Sequence, residues 1–265
     1  MPLAAERPFQ RMGHVKSVSG VLAATGVIVP AIVATRAVSL PKSQRLPLLF
    51  HRMFNASLGV HVRLQGTPAN GSVLYVSNHL SWMDIPVLGS QLHGSFVAKS
   101  EVGAMGFVGF MADLQRTIYI ERARRQASGE QSNAIADRLR AGENVFLFPE
   151  GTTNDGVHLL PFKSTLFSVV EGPGSEDFRI QPLSVAYTEL NGLPMTRNRR
   201  IEISWIGDTD LGPHALDFMR MGRFRAEILC HEPIRRADFA NRKELAKYCQ
   251  AKVAEGYRTL TRGHA

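Results

Sequence analysis

The sequence predicts an α/β fold, a mixed, partly parallel sheet flanked by helices, preceded by a helical N-terminal segment. Three observations carry that expectation. From Val62 onward, short apolar runs alternate with stretches of helical period. A long uncharged stretch stands apart from them near the N-terminus. The 265 residues, 44% apolar and 20% charged, suffice for a sizeable core and exclude a disordered chain or a polytopic membrane protein.

The N-terminal stretch comes first. Ser17 to Thr35, SVSGVLAATGVIVPAIVAT, contains no charge, with Lys16 and Arg36 at its ends and Arg7 and Arg11 upstream. As a helix it would run ~28 Å, near the hydrocarbon thickness of a bilayer. Pro30 is expected to kink or divide it. A signal peptide would have the same flanks, but no small-x-small cleavage site follows. A buried core helix is the other alternative, set against apolar character that runs all round. The reading adopted is a membrane-associating segment, spanning or re-entrant. Positive charge on both flanks leaves its orientation open.

Pro41 to Val62 reads as a helix, with Leu46, Leu49, Phe50, Met53 and Phe54 at helical spacing and Arg45 and Arg52 near them. That stripe suits an anionic membrane surface or a core equally. Residues 1–62 are therefore assigned to a membrane-anchoring helical segment and 63–265 to the α/β domain.

Within that domain the expected strands are Val73–Val76, Phe96–Ala98, Thr117–Ile120, Val145–Phe148, Ile180–Val185, Ile201–Trp205 and Arg225–Leu229. Helices are expected at Met83–Gln91, Met105–Leu114, Gln131–Ala141, Ser164–Glu171, His214–Met221 and Arg242–Tyr257. Asn241 and Glu244 have the spacing of a capping box before the last. The alternation implies a sheet mostly parallel in its first half.

Composition bounds function. A count of 31 Lys+Arg against 23 Asp+Glu gives a net charge of +8, which favours an anionic partner. The basic residues are dispersed and match no nucleic-acid motif, so nucleic acid is not expected. Cys230 and Cys249 are too few for a disulfide framework, and no Cys/His spacing suggests a metal. His231-Glu232 lacks the second histidine of a zinc-binding helix.

Two segments carry chemistry. After the strand Val73–Val76 comes Ser77-Asn78-His79-Leu80-Ser81-Trp82-Met83-Asp84. On one regular helix His79 and Asp84 would lie about 140° apart. With His79 in a strand-to-helix turn they can meet, leaving one ring nitrogen free as a general base. The same residues also suit a helix cap, Ser81 with Asp84 three positions on. The second segment, Phe148-Pro149-Glu150-Gly151-Thr152-Thr153, offers a carboxylate, hydroxyls and backbone N–H groups at a strand end, where ligands of open α/β sheets gather. An ordinary β-turn would also use this Pro and Gly. Arg122 closes the run Ile118 to Arg122 and is a candidate anion clamp. Lys99 and Lys163 are further basic candidates.

Together these pieces resemble the glycerolipid acyltransferases typified by bacterial 1-acyl-glycerol-3-phosphate acyltransferases. That family has four ordered blocks. Their counterparts here are Asn78-His79-x4-Asp84, Ile118 to Arg122, Phe148-Pro149-Glu150-Gly151-Thr152, and the strand Ile180-Gln181-Pro182-Leu183. The resemblance spans approximately Arg63 to Leu229. It implies that His79, oriented by Asp84, takes a proton from a lysolipid hydroxyl. That oxygen then attacks the thioester of acyl-CoA or acyl carrier protein, with no acyl-enzyme. It further implies an acceptor headgroup held by Arg122 and Glu150, Gly151 and Thr152, to which Lys99 and Lys163 are added here. No cofactor beyond the acyl co-substrate and no metal are implied. The partners are membrane lipids, and the expected location is the bacterial inner membrane with the site facing the cytosol.

Two departures bear on the acceptor. Arg116 stands where the family often has glycine, and Thr153 where the phosphate-lipid enzymes commonly carry arginine. The second also resembles a branch that acylates lyso-ornithine lipid, a phosphorus-free aminolipid. Lysophosphatidate is favoured narrowly over lyso-ornithine lipid. A non-catalytic protein that binds anionic membranes is the alternative from another class.

Overall fold

A computed structural model describes residues 8–37, 45–120, 128–172, 174–207 and 209–262. In chain order the elements are α1 (Pro8–Ala37), α2 (Arg45–Ser57), β1 (Val60–Gln65), β2 (Val73–Ser77), α3 (Asp84–Gly89), β3 (Ser95–Lys99), α4 (Ser100–Gly103) and α5 (Phe107–Leu114). There follow β4 (Ile118–Ile120), α6 (Ser128–Arg140), β5 (Val145–Leu147), a 3-10 helix at Ser164–Val170, and β6 (Arg179–Leu190). The chain ends with β7 (Leu193–Pro194), α7 (Arg197–Ile203), α8 (Leu211–Met221), β8 (Phe224–Cys230), β9 (Ile234–Arg235) and α9 (Arg242–Arg262).

The described strands form one sheet in the order β1-β8-β6-β2-β5-β3-β4, with β7 and β9 also on β6. β2 pairs in parallel with β5 and β6, and β3 in parallel with β5 and β4. β8 runs antiparallel to β6. The expected mixed sheet with a parallel first half is therefore present. Parallel sheets need cover on both faces. Along β2, Val73 and Tyr75 join one apolar cluster with Leu88, Phe146, Phe218 and Phe224, whereas Leu74 and Val76 join another with Ile135, Phe167, Leu245 and Val253. The period-2 alternation of a strand makes that division. Fully buried Leu245 and Val253 dock α9, each stabilising the fold by about 1.5–3 kcal/mol.

Several expectations are corrected. Ile201–Trp205, read as a strand from its alternation, is the end of α7 and the turn after it. The Thr196 side chain accepts from the Arg199 amide and starts a helix, with Ile203 buried and Ile201 exposed. Helix Pro41–Val62 stops at Ser57, and Val60–Gln65 is instead an edge strand parallel to β8. The division after Val62 thus falls within β1. Ser164–Val170 winds as 3-10 rather than α.

The N-terminal helix is longer than expected and continues through Pro30. Among the described residues no helix is long and apolar enough to cross a membrane. α1 is also not uniformly free of the domain: Ile28, Val29 and Ile32 are buried with Phe50 and Leu114. Its other side leaves Leu22, Val27 and Val33 exposed.

Candidate active site

The C-terminal ends of β2 and β5, adjacent parallel strands, present the two motif loops side by side. Asn78, the first residue beyond β2, is fully buried. Its amide donates to the Val185 carbonyl and accepts from the Val185 amide, both at 2.9 Å, and so extends the ladder to β6 by one rung. Position 79 is thereby delivered just beyond the C-terminal end of the central strand β2.

The backbone of His79 is held from both sides. Its N–H donates to Glu150 Oε1, and its carbonyl accepts from the Asn154 amide, both at 2.8 Å. The ring stacks on Phe148 with centroids 4.1 Å apart and 15° between planes. Nδ1 lies 2.8 Å from Asp84 Oδ2. That oxygen also accepts the Leu80 and Ser81 amides at 2.6 and 2.9 Å, while Tyr187 donates its hydroxyl to Oδ1 at 3.0 Å. Asp84 is completely buried, and both of its carboxylate oxygens are hydrogen-bonded within the protein. A carboxylate at Nδ1 places the ring proton there and leaves the lone pair on Nε2. The His79 side chain keeps 17% of its exposure. The result is an oriented imidazole with one basic nitrogen available.

Asp84 is the first residue of α3, and its carboxylate accepts the Ser81 amide as a capping residue would. Among the described residues the Ser81 hydroxyl itself has no partner. The helix-cap and dyad expectations are thus partly the same contact, made by one oxygen.

Both carboxylate oxygens of Glu150 are engaged within the protein. Oε1 accepts from His79 N and Asn154 Nδ2, and Oε2 from Asn154 Nδ2 and the Leu160 amide at 2.7 Å. Burial raises its pKa, against which these hydrogen bonds act. Where the sequence suggested a headgroup ligand, the structure has a carboxylate that cross-links the two loops. Gly151 turns the chain behind it with φ 75°, a left-handed conformation that a side chain disfavours. Thr152 is exposed on that turn. Lys163 is exposed too, and its N–H donates to the Pro149 carbonyl at 2.9 Å, which roots it beside the same loop. Lys99 is exposed at the C-terminal end of β3, two strand spacings or about 10 Å from β2. Arg122 lies outside the described residues.

A family model described as Acyltransferase matches residues 60–186. A lyso-ornithine lipid O-acyltransferase of Brucella abortus is 40% identical over 215 residues, covering 79% of this chain and 80% of that one. The chain belongs to the acyltransferase family. A second lyso-ornithine lipid O-acyltransferase, from Rhizobium meliloti, is 36% identical over 90% of this chain and 84% of its own length. A 1-acyl-sn-glycerol-3-phosphate acyltransferase of Neisseria gonorrhoeae is 33% identical over 45% of this chain and 47% of that one. The crystal structure of the 1-acyl-sn-glycerophosphate acyltransferase PlsC from Thermotoga maritima has the same fold, with TM-score 0.67 at 18% identity over 95% and 97% of the two chains.

Several residues that build this acyltransferase site were not found from sequence. Asn154 binds both Glu150 and His79. Tyr187 reaches Asp84 from 103 positions away, across the β2–β6 pairing. Trp205 donates its N–H to Leu80 O at 3.0 Å and accepts the Thr153 hydroxyl. Only Asn154, beside the motif, lay close enough in the chain to be noticed. Among the described residues no group of three or more His, Cys, Asp or Glu could hold a metal.

Proposed function

We propose that this acyltransferase moves a fatty acyl group from an acyl thioester, of CoA or acyl carrier protein, to the free hydroxyl of lyso-ornithine lipid. The His79–Asp84 pair carries the reaction type. His79 Nε2 takes the hydroxyl proton as the oxygen attacks the thioester carbonyl. Asp84 balances the charge of the imidazolium that forms. Collapse of the tetrahedral intermediate forms the ester and breaks the C–S bond, and the thiolate recovers the proton from His79. The side chain of Thr152, with Lys163, Lys99 and Arg122, supplies polar and cationic groups for the acceptor, while Glu150 and Gly151 shape the loop.

Position 153 bears on the acceptor. Thr153 is buried and its hydroxyl is spent on the Trp205 carbonyl, so no cation occupies the place where phosphate-lipid enzymes commonly carry arginine. The relatives that match most of this chain's length are named for lyso-ornithine lipid. Lysophosphatidate is the second reading, favoured by the shorter match to the Neisseria enzyme. Mass spectrometry of products from both acceptors with one acyl thioester tests this. Acyl transfer to lyso-ornithine lipid at the higher kcat/KM is expected. Preference for lysophosphatidate would replace the reading, and transfer to neither would sink it.

The protein is further proposed to work at the cytosolic face of a bacterial inner membrane. Leu22 and Val27 of α1, 66% and 69% exposed, and Leu49 and Met53 of α2 offer an apolar surface. Vesicle flotation that is unchanged by Leu22→Asp and Val27→Asp together would refute that surface.

A further inference from the structure

We infer that His214 is a positioning residue for acyl transfer, a brace that ties the loop carrying His79 and Asp84 to the segment following α7. The inference rests on the acyl-transfer reading of the dyad, and His214 touches neither dyad residue.

The brace has a defined tautomer. Trp82, two residues before Asp84, donates its indole N–H to His214 Nδ1 at 3.0 Å. An indole nitrogen only donates, so Nδ1 must be unprotonated. Nε2 therefore carries the proton and donates to the Ser204 carbonyl at 3.2 Å. Phe218, one turn further along α8, meets the same indole edge-on at 5.7 Å, as residues four apart on a helix share a face. Two side chains of α8 thus fix Trp82.

The other end of the brace falls on a strap. Ser204 and Trp205 follow α7 and cross both motif loops: Trp205 N–H bonds Leu80 O, and the Thr153 hydroxyl bonds Trp205 O. His214 adds the third tie, from the strap back to Trp82. With all three in place, the loop of His79–Asp84 and the loop of Glu150–Asn154 cannot shift independently. A displacement of well under 1 Å at His79 is enough to spoil proton transfer.

Neutrality of His214 is required, and burial lowers its pKa, opposed by Ser204 and by Asp217 on its own helix. Trp82 and Ser204, which face it from the loop and the α7 end, are uncharged. α1 also packs on α8, and its described side chains include no charge. Protonation would set a donor at Nδ1 against the indole donor.

The test compares His214→Leu with His214→Gln in the full chain. Glutamine can accept from Trp82 and donate to Ser204, whereas leucine can do neither. Leucine is expected to lower kcat about tenfold with KM for both substrates within about twofold, and glutamine to recover most of the loss. With 15N-indole labelling, the Trp82 N–H resonance should move upfield in the leucine variant and return in the glutamine one. The resonance needs no turnover, so it tests the brace even if the acceptor reading fails. Full kcat in the leucine variant, or a folded glutamine variant as slow as the leucine one, overturns the proposal. Should leucine prevent folding, Trp82→Phe removes the indole donor, with part of the ring that packs on Phe54 and Phe218, and leaves His214 in place. The same fall in kcat then supports the brace, and unchanged kcat overturns it.

Discussion

Glu150 grips the backbone of His79 rather than its ring: Oε1 accepts the His79 amide at 2.8 Å, while Asp84 holds the imidazole from the other side. The two carboxylates therefore divide the work, one setting where the histidine stands and the other setting its tautomer.

Replacing Glu150 by alanine leaves the His79 and Leu160 amides and the Asn154 side chain without acceptors. Each such group costs about 1–3 kcal/mol. Denaturant melts should show a loss of at least ~3 kcal/mol, with turnover lost as well. A Glu150→Ala protein of wild-type stability and rate would show the cross-link to be unimportant.

His79→Ala should lower kcat by about 10²–10⁴, the usual worth of a positioned general base, without releasing the protein from vesicles. Steady-state assays beside flotation check both halves. Retained turnover would exclude His79 as the base.

Tyr187→Phe removes one donor from Asp84 Oδ1 and keeps the packed ring. Stability should fall by about 1 kcal/mol and kcat by roughly fivefold to tenfold, with KM unchanged. An unchanged kcat would reduce the tyrosine to packing.

His51 is buried between α2 and α3, and burial lowers its pKa to about 4. The unfolded chain takes up a proton near the ordinary value of 6.5 that the folded chain refuses. The folded pKa is the depressed one, so stability is full above about pH 6.5 and declines toward pH 4, by about 3 kcal/mol over the window. His51→Leu should flatten that limb in urea melts taken at about pH 7 and pH 5. An equally steep limb in the variant would assign it to other groups.

Arg116 adopts φ 58°, the left-handed region, and pairs with Glu143 at 2.7 Å. A glycine would adopt that backbone conformation without strain. Arg116→Gly should be neutral or stabilising by up to ~1 kcal/mol, because relief of strain outweighs a half-exposed ion pair. A loss above ~1 kcal/mol in thermal melts would mean the pair matters more than the strain.

Much of the order along the chain was legible before folding. The strands at Val73, Phe96, Val145 and Arg225, and the helix beginning at Arg242, follow from local periodicity and caps, which neighbouring residues carry by themselves. His79 and Asp84 could be paired from the sequence because five residues of turn suffice to bring ring and carboxylate together. The alternation of Ile201 and Ile203 misled because a period of 2 over so short a run also fits the end of a helix started by Thr196.

What only the tertiary structure decided lies across the sheet. Placing β6 beside β2 brings Tyr187 to Asp84 and Val185 to Asn78, over separations of 103 and 107 residues. The strap at Trp205 joins loops that have no period in common. α1 buries Ile28 and Ile32 only because α2 and Leu114 are there to receive them. Glu150 looked like a ligand residue in the sequence because a carboxylate on a Gly turn is chemically free until its neighbours are known. Sequence determines which groups a strand end can present. The partners that consume them come from strands and helices brought alongside, and those are specified by packing of the whole chain.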